Sequence, residues 1–177
     1  ANAALIAHSY TDALTGLPNR RAIFEDLTTL FSLARHLKRN AINAFIDLDD
    51  FKLINDRYGH EAGDQFLIEV GKRLTEEKQQ DDIIGRLGGD EFLVASLSQP
   101  HQDGDNAQLT LLKTRLSACI AGEYWLGSVH IIYPGASFGV IEVDPAATDP
   151  DSALRAADVA MYQDKKGKSK SRFLTID

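Results

Sequence analysis

Two stretches join apolar runs to acids. "AINAFIDLDD" ends in Asp47, Asp49 and Asp50, and "IIGRLGGDEFLVASL", Ile83 to Leu97, sets Gly88, Gly89, Asp90 and Glu91 between a short apolar run and a longer one. Asp47 and Asp49 lie two apart at a strand's end and can point to the same side. Asp90 and Glu91 occupy the tip of a hairpin. A carboxylate is costly to desolvate unless it is paired or binds a metal, so acids attached directly to apolar strands call for explanation. Either cluster alone reads as solvated turn acids. Facing each other, they make a hard-cation site of the magnesium type, built of oxygen ligands and completed by substrate phosphates. Gly88 and Gly89 serve the turn, the close approach of a ligand, or both.

A sheet with helices on it must position these acids. Ile23, Phe24, Leu27, Leu30, Phe31, Ala34 and Leu37 recur at helical spacing, which predicts a helix over Pro18 to Leu37 with the proline in its first turn. Ala41 to Asp49 reads as a buried strand, followed by a short helical piece, "DFKLINDRYG". Phe66, Leu67, Val70 and Leu74 mark a second long amphipathic helix. Strands over Asp82 to Leu87 and Phe92 to Leu97 flank the glycine and acid turn, and a third helix runs from Ala107 to Ala121. "GSVHIIYPGASFGVIEV" is strand material interrupted at Pro134 and Gly135. A last helix has Asp149 as N-cap and Pro150 at its first position. The alternation predicts one sheet with helices packed on it, without internal repeats.

The 177 residues suit one domain, and the net charge of −7 argues against loose binding to nucleic acid or an anionic membrane surface. An anionic substrate then needs local cations. Cys119 is the single cysteine; it sits at an apolar helical position and reads as core packing in a reducing compartment. No apolar run is long enough for a membrane span. "GKS" at Gly167 to Ser169 is no P-loop, because the required earlier glycine falls at Tyr162 in a helix. "DLDDFK" is no calcium loop, since Phe51 and Lys52 stand where a ligand and a glycine are needed. The five histidines show no zinc spacing.

From "DALTGLPNRR" through "FIDLDDFKLINDRYGHEAGD" and "RLGGDEF" to "ASFGV" and "ADVAMYQDKK", the chain resembles the GGDEF family of diguanylate cyclases. The resemblance implies an α/β (α+β) fold, with a central, mostly antiparallel sheet of about five strands wrapped by helices, similar to adenylyl cyclases and polymerase palms. It places Asp47, Asp90 and the carbonyl of Leu48 on Mg2+, with Mn2+ as an alternative metal. Glu91 either binds metal or activates the attacking hydroxyl. Asn55 and Asp64 match the guanine readers, and a carboxylate suits guanine's ring N–H and exocyclic amine where adenine would present an acceptor. Phosphate falls to the backbone amides of Asp50, Phe51 and Lys52 at the start of a short helix, with Gly88, Gly89 and Lys165. Lys168 is a substitute second phosphate cation, or part of a solvated basic tail, because "KGKSKSR" is one residue shorter before Gly167 than the family pattern.

The activity implied is condensation of two GTP molecules into cyclic di-GMP with release of two pyrophosphates. Two copies meet face to face, each supplying half a site. The alternative is a catalytically silent module that binds GTP or dimerises. Members of the family carry an arginine and an aspartate ahead of the glycines as a product-inhibition site; here those positions are Gln79 and Asp82, so the arginine is missing. Residues 1–10 are expected to end an upstream linker helix and 11–177 to form the domain. The domain is expected to be cytoplasmic, with an upstream sensor beyond this chain and the whole protein allowed a membrane link.

Overall fold

The computed structural model describes residues 9–100, 106–168 and 174–176. The domain is built in the order α1 (Arg20–Leu37), β1 (Ala41–Asp47), α2 (Phe51–Tyr58), α3 (His60–Glu77), β2 (Ile83–Gly88), β3 (Glu91–Leu97), α4 (Ala107–Ile120), β4 (Gly122–Leu126), β5 (Val129–Tyr133), β6 (Ser137–Val143), α5 (Pro150–Lys166) and β7 (Leu174–Ile176). The expectation for residues 1–10 falls almost wholly outside the described residues.

The main sheet is antiparallel, in the order β2-β3-β1-β6. It has four strands where five were expected, although the fold class holds. The difference arises at Pro134 and Gly135. Proline cannot donate to a ladder and Gly135 sits at φ 138°, so β5 leaves the sheet there and pairs with β4 and β7 in a second sheet. β4, "GEYWL", was not anticipated.

Alternation along β1 divides the core. Ile42, Ala44, Ile46 and Leu48 pack in the cluster that holds Phe66, Leu67 and Val70 of α3 and Leu112 and Leu116 of α4. Ala41 and Phe45 join Leu27 and Phe31 of α1 and Ala153 and Ala157 of α5. Cys119 packs against the first cluster, and burial, helped by Glu77, pushes its thiol up to about 11, which leaves it a packing residue.

Two helix starts show how local chemistry sets the frame. In α1 the N-cap is Asn19, whose side-chain oxygen accepts from the Ala22 amide at 3.0 Å. Pro18 therefore precedes the helix instead of entering its first turn, and its carbonyl is free to accept from the Arg86 amide. In α5, Asp149 caps Ser152 at 2.7 Å and Pro150 takes the first helical position, as the sequence predicts. α5 lies hard against β6: a methyl group on Gly139 would come within 2.0 Å of the Ala157 carbonyl. That close approach carries the end of α5, with Lys165, to the sheet edge where β1 ends.

Candidate active site

Three strand ends converge on one position. Asp47 closes β1 and lies directly opposite Glu91 at the start of β3 and Ser137 at the start of β6. The β2–β3 hairpin is closed by Gly88 opposite Glu91, leaving Gly89 and Asp90 as its loop. Gly88 and Gly89 have φ of 142° and 50°, so the turn itself requires both glycines. The Leu48 amide donates to the Asp90 carbonyl at 3.0 Å and latches the hairpin tip to the end of β1. The two acidic clusters do face each other.

The electrostatics register that crowding. Burial raises the affinity of Asp47 for a proton, and the Asp90 carboxylate raises it further. Glu91 is pushed upward by burial and by Asp47, Asp158 and Asp90. Lys165 reaches Asp47 at 3.3 Å from the end of α5. Partial burial disfavours its charge, but the Asp47 carboxylate outweighs that and holds the ammonium above its ordinary range.

Among the described residues, no three Asp, Glu, His or Cys side chains converge closely enough to hold an ion alone. A cation here needs further oxygens from the Leu48 carbonyl, phosphates or water. This fits Mg2+, which keeps waters and shares phosphate oxygens in preference to an all-protein cage. The acids, all hard oxygen donors, suit that ion.

Asp49 differs from the expectation. β1 ends at Asp47, and the Asp49 carboxylate accepts from the Ser137 hydroxyl at 2.7 Å and from Lys168 at 2.9 Å. The Tyr133 hydroxyl donates to the Asp49 carbonyl at 2.6 Å. Lys168 also donates to the Ala136 carbonyl. Lys168, although exposed, is thus tied to the end of the sheet through Asp49 and Ala136. Just beyond, Asp50 has φ 62° and leads into α2, whose first turn presents the amides of Phe51 and Lys52.

Asn55 on α2 and Asp64 on α3 stand on adjacent helices joined through Gly59. The Asn55 side-chain oxygen is buried and has no hydrogen-bond partner. It lies against Gly63, where a methyl group would meet it at 1.8 Å. Asp64 is exposed. An orphaned acceptor of this kind is what a ligand donor would satisfy.

Gln79 and Asp82 occupy a turn at the opposite end of β2 from the hairpin tip. The Gln79 amide donates to the Asp82 carboxylate at 2.9 Å, and burial raises that carboxyl's proton affinity. The sequence reading missed Tyr133, Ser137 and Asp12, and noted Arg86 only as a neighbour of the motif. Arg86 forks from Asp12 to the Gly89 carbonyl, and its place directly before "LGGDE" was the one signal available. Arg20, at the start of α1, donates to the Leu87 carbonyl at 3.3 Å and lies close enough to Glu91 to oppose its upward shift.

In this antiparallel α/β domain, carboxylates meet at strand ends beside a glycine hairpin. The family model for the diguanylate cyclase GGDEF domain matches residues 9–171, and the chain belongs to that family. It is 64% identical over 174 residues to diguanylate cyclase DgcP of Escherichia coli strain K12, covering 98% of this chain and 50% of DgcP. It thus spans about half the length of that relative. It is 35% identical over 158 residues to cyclic di-GMP phosphodiesterase PdeR of the same strain, covering 89% of this chain and 22% of PdeR. A crystal structure of a sensory box/GGDEF family protein from Caulobacter crescentus CB15 superposes with a TM-score of 0.82 at 31% identity, covering 90% of this chain and 99% of that one. Among the described residues, no helix is long and apolar enough to cross a membrane.

Proposed function

We propose that this chain is a diguanylate cyclase domain that joins two GTP molecules into cyclic di-GMP and releases two pyrophosphates. The observation that carries the reading is the register placing Asp47 opposite Glu91, with the adjacent Asp90 carbonyl bonded to the Leu48 amide. Asp47, the Leu48 carbonyl and Asp90, with Glu91 as a further oxygen donor, are the residues that would hold Mg2+ or Mn2+. When bound, the metal supplies charge neutralisation and a lowered hydroxyl pKa.

The chain's own groups do the rest. Asn55 and Asp64 orient guanine, with the orphaned Asn55 oxygen available to a donor on the base. The amides of Asp50, Phe51 and Lys52 meet phosphate oxygens at the start of α2, and Gly88 and Gly89 leave room for them. Lys165 supplies a cation from α5, and Lys168 a second once it leaves Asp49. Burial and the neighbouring acids raise the proton affinity of Glu91, so its ionised carboxylate is a stronger base for the 3′-hydroxyl proton and also an oxygen donor to metal. One chain presents one such site, so cyclisation takes two copies facing each other, each positioning the attack on the other's α-phosphate.

Gln79 cannot replace an arginine's charge and paired donors, so product feedback through Gln79 and Asp82 is weak. The identity to PdeR, named for the opposite activity, supports a second reading in which the domain binds GTP or dimerises without turnover. Incubation with GTP and Mg2+ and mass spectrometry for cyclic di-GMP decides between them, with Asp90→Ala as control. Product should rise faster than linearly with protein concentration. No product even from an enforced dimer would favour the silent module. Initial rates should hold when micromolar product is added, and potent noncompetitive inhibition would count against the lost feedback site.

A further inference from the structure

We propose that Asp49 is a positioning residue: anchored by Tyr133 and Ser137, it holds the Leu48–Lys52 turn in the shape that receives metal and phosphate. The proposal rests on the nucleotide reading above. Both anchors are interior groups, Tyr133 being 1% exposed and Ser137 fully buried. Tyr133 is wedged against Phe66 and Tyr124, with ring centroids 4.7 and 6.0 Å away. Its hydroxyl is therefore a fixed donor, and it is spent on the Asp49 carbonyl. Burial and the neighbouring Asp49 hold that phenol far above its ordinary range, so it stays a donor across working pH.

The hydroxyl of Ser137 fixes one carboxylate oxygen of Asp49 and Lys168 takes the other. Asp49 is thus held through its main chain and its side chain at once. On either side of it lie the Leu48 carbonyl and Asp50. Asp50 at φ 62° is in the left-handed region, which is uncommon outside glycine although aspartate enters it more readily than most residues, and its surroundings select it here. The bonds to Asp49 supply that restraint, and they fix where α2 begins. Lys168 is the exchangeable member: it follows α5, is the most exposed of the three partners, and can pass to phosphate while Tyr133 and Ser137 keep the turn in place.

The test compares the chain with Asp49→Ala, Asp49→Asn and Tyr133→Phe. Two amides report on the turn without ligand: Leu48, bonded to the Asp90 carbonyl, and Ile54, bonded to the Asp50 carbonyl. Their hydrogen exchange should quicken at least tenfold in Asp49→Ala and less in Tyr133→Phe. Asp49→Asn keeps an acceptor for Ser137 and should recover most of the protection. Calorimetry with Mg2+ and a non-hydrolysable GTP analogue should show affinity about tenfold weaker in Asp49→Ala and about threefold weaker in Tyr133→Phe. Unchanged exchange overturns the proposal. So does faster exchange, or a lowered Tm, with affinity within twofold of the parent, since that describes a merely structural residue. A parent chain that binds no analogue sinks the nucleotide reading instead, and the exchange arm still decides whether Asp49 holds the turn.

Discussion

Asp12 and Arg86 form an ion pair in which one guanidinium nitrogen lies 3.0 and 3.1 Å from the two carboxylate oxygens. Its other nitrogens donate to the Gly89 carbonyl at 3.0 and 2.8 Å. One planar fork thus joins the segment before α1 to the hairpin tip that carries Asp90. The side chains are only 13% and 18% exposed, so removing one partner leaves a charge with little water. Asp12→Ala should cost about 3 kcal/mol of stability, read by urea unfolding. Arg86→Lys should be poorly tolerated, because an ammonium cannot serve carboxylate and carbonyl in that planar geometry. Wild-type stability and turnover in Arg86→Lys would dismiss the fork as a support for the hairpin.

The same pair sets a dependence on pH. Burial disfavours the charged form of Asp12, but the Thr15 hydroxyl and amide and the Arg86 guanidinium together outweigh it, holding the carboxyl below the ordinary aspartate range. A group depressed in the folded state contributes stability above its unfolded pKa of about 4, and the contribution is lost as pH falls through the folded value. Asp12→Asn lacks this contribution. It should be less stable than the parent at pH 7, with the difference shrinking as pH is lowered below about 4. A constant difference in urea midpoints from pH 7 to pH 3 would show that the charge of Asp12 contributes nothing.

The acids were legible because each ends an apolar run, a local signal that survives in one dimension. The partners that hold them were not. Tyr133 meets Asp49 across 84 residues and Arg86 meets Asp12 across 74, and no periodicity encodes such pairings. Period-two alternation likewise says that β5 is a strand but not which sheet it joins, so the expected five-stranded sheet became four strands and a separate ribbon. Pro18 is another case: proline suits both the first helical turn and the loop before it, and the Asn19 cap decided the matter.

Asn43 is a polar residue with no recovered cost in the fold. It is 0% exposed in mid-strand, flanked across the sheet by Ala95 and Ile141, and neither side-chain polar atom has a partner. Replacing it by valine removes the unpaired amide and suits a buried strand. Asn43→Val should gain about 1 to 2 kcal/mol, raising Tm by roughly 2 to 8 °C in scanning calorimetry. Turnover should be unchanged, since Asn43 lies near the start of β1, away from the end that carries Asp47. A lower Tm would mean that the amide stabilises the core in a way its surroundings do not reveal.

Gly63 tests the guanine assignment without replacing either proposed reader. It lies inside α3, where alanine is ordinarily better than glycine by up to about 1 kcal/mol. Here the added methyl would stand 1.8 Å from the Asn55 side-chain oxygen and 3.4 Å from the Phe51 ring. The methyl would also stand 2.9 Å from the Asn55 Cγ, so the whole side chain must swing about its Cα–Cβ bond; the fold should survive that while the acceptor is displaced. Gly63→Ala should therefore keep the parent's Tm within a few degrees and raise the KM for GTP about tenfold, the size of one misplaced base contact. Discrimination against ATP should weaken in parallel, because the displaced oxygen is argued to read a guanine donor. If KM and the GTP-to-ATP ratio both stay at parental values with Asn55 displaced, guanine is read by other groups.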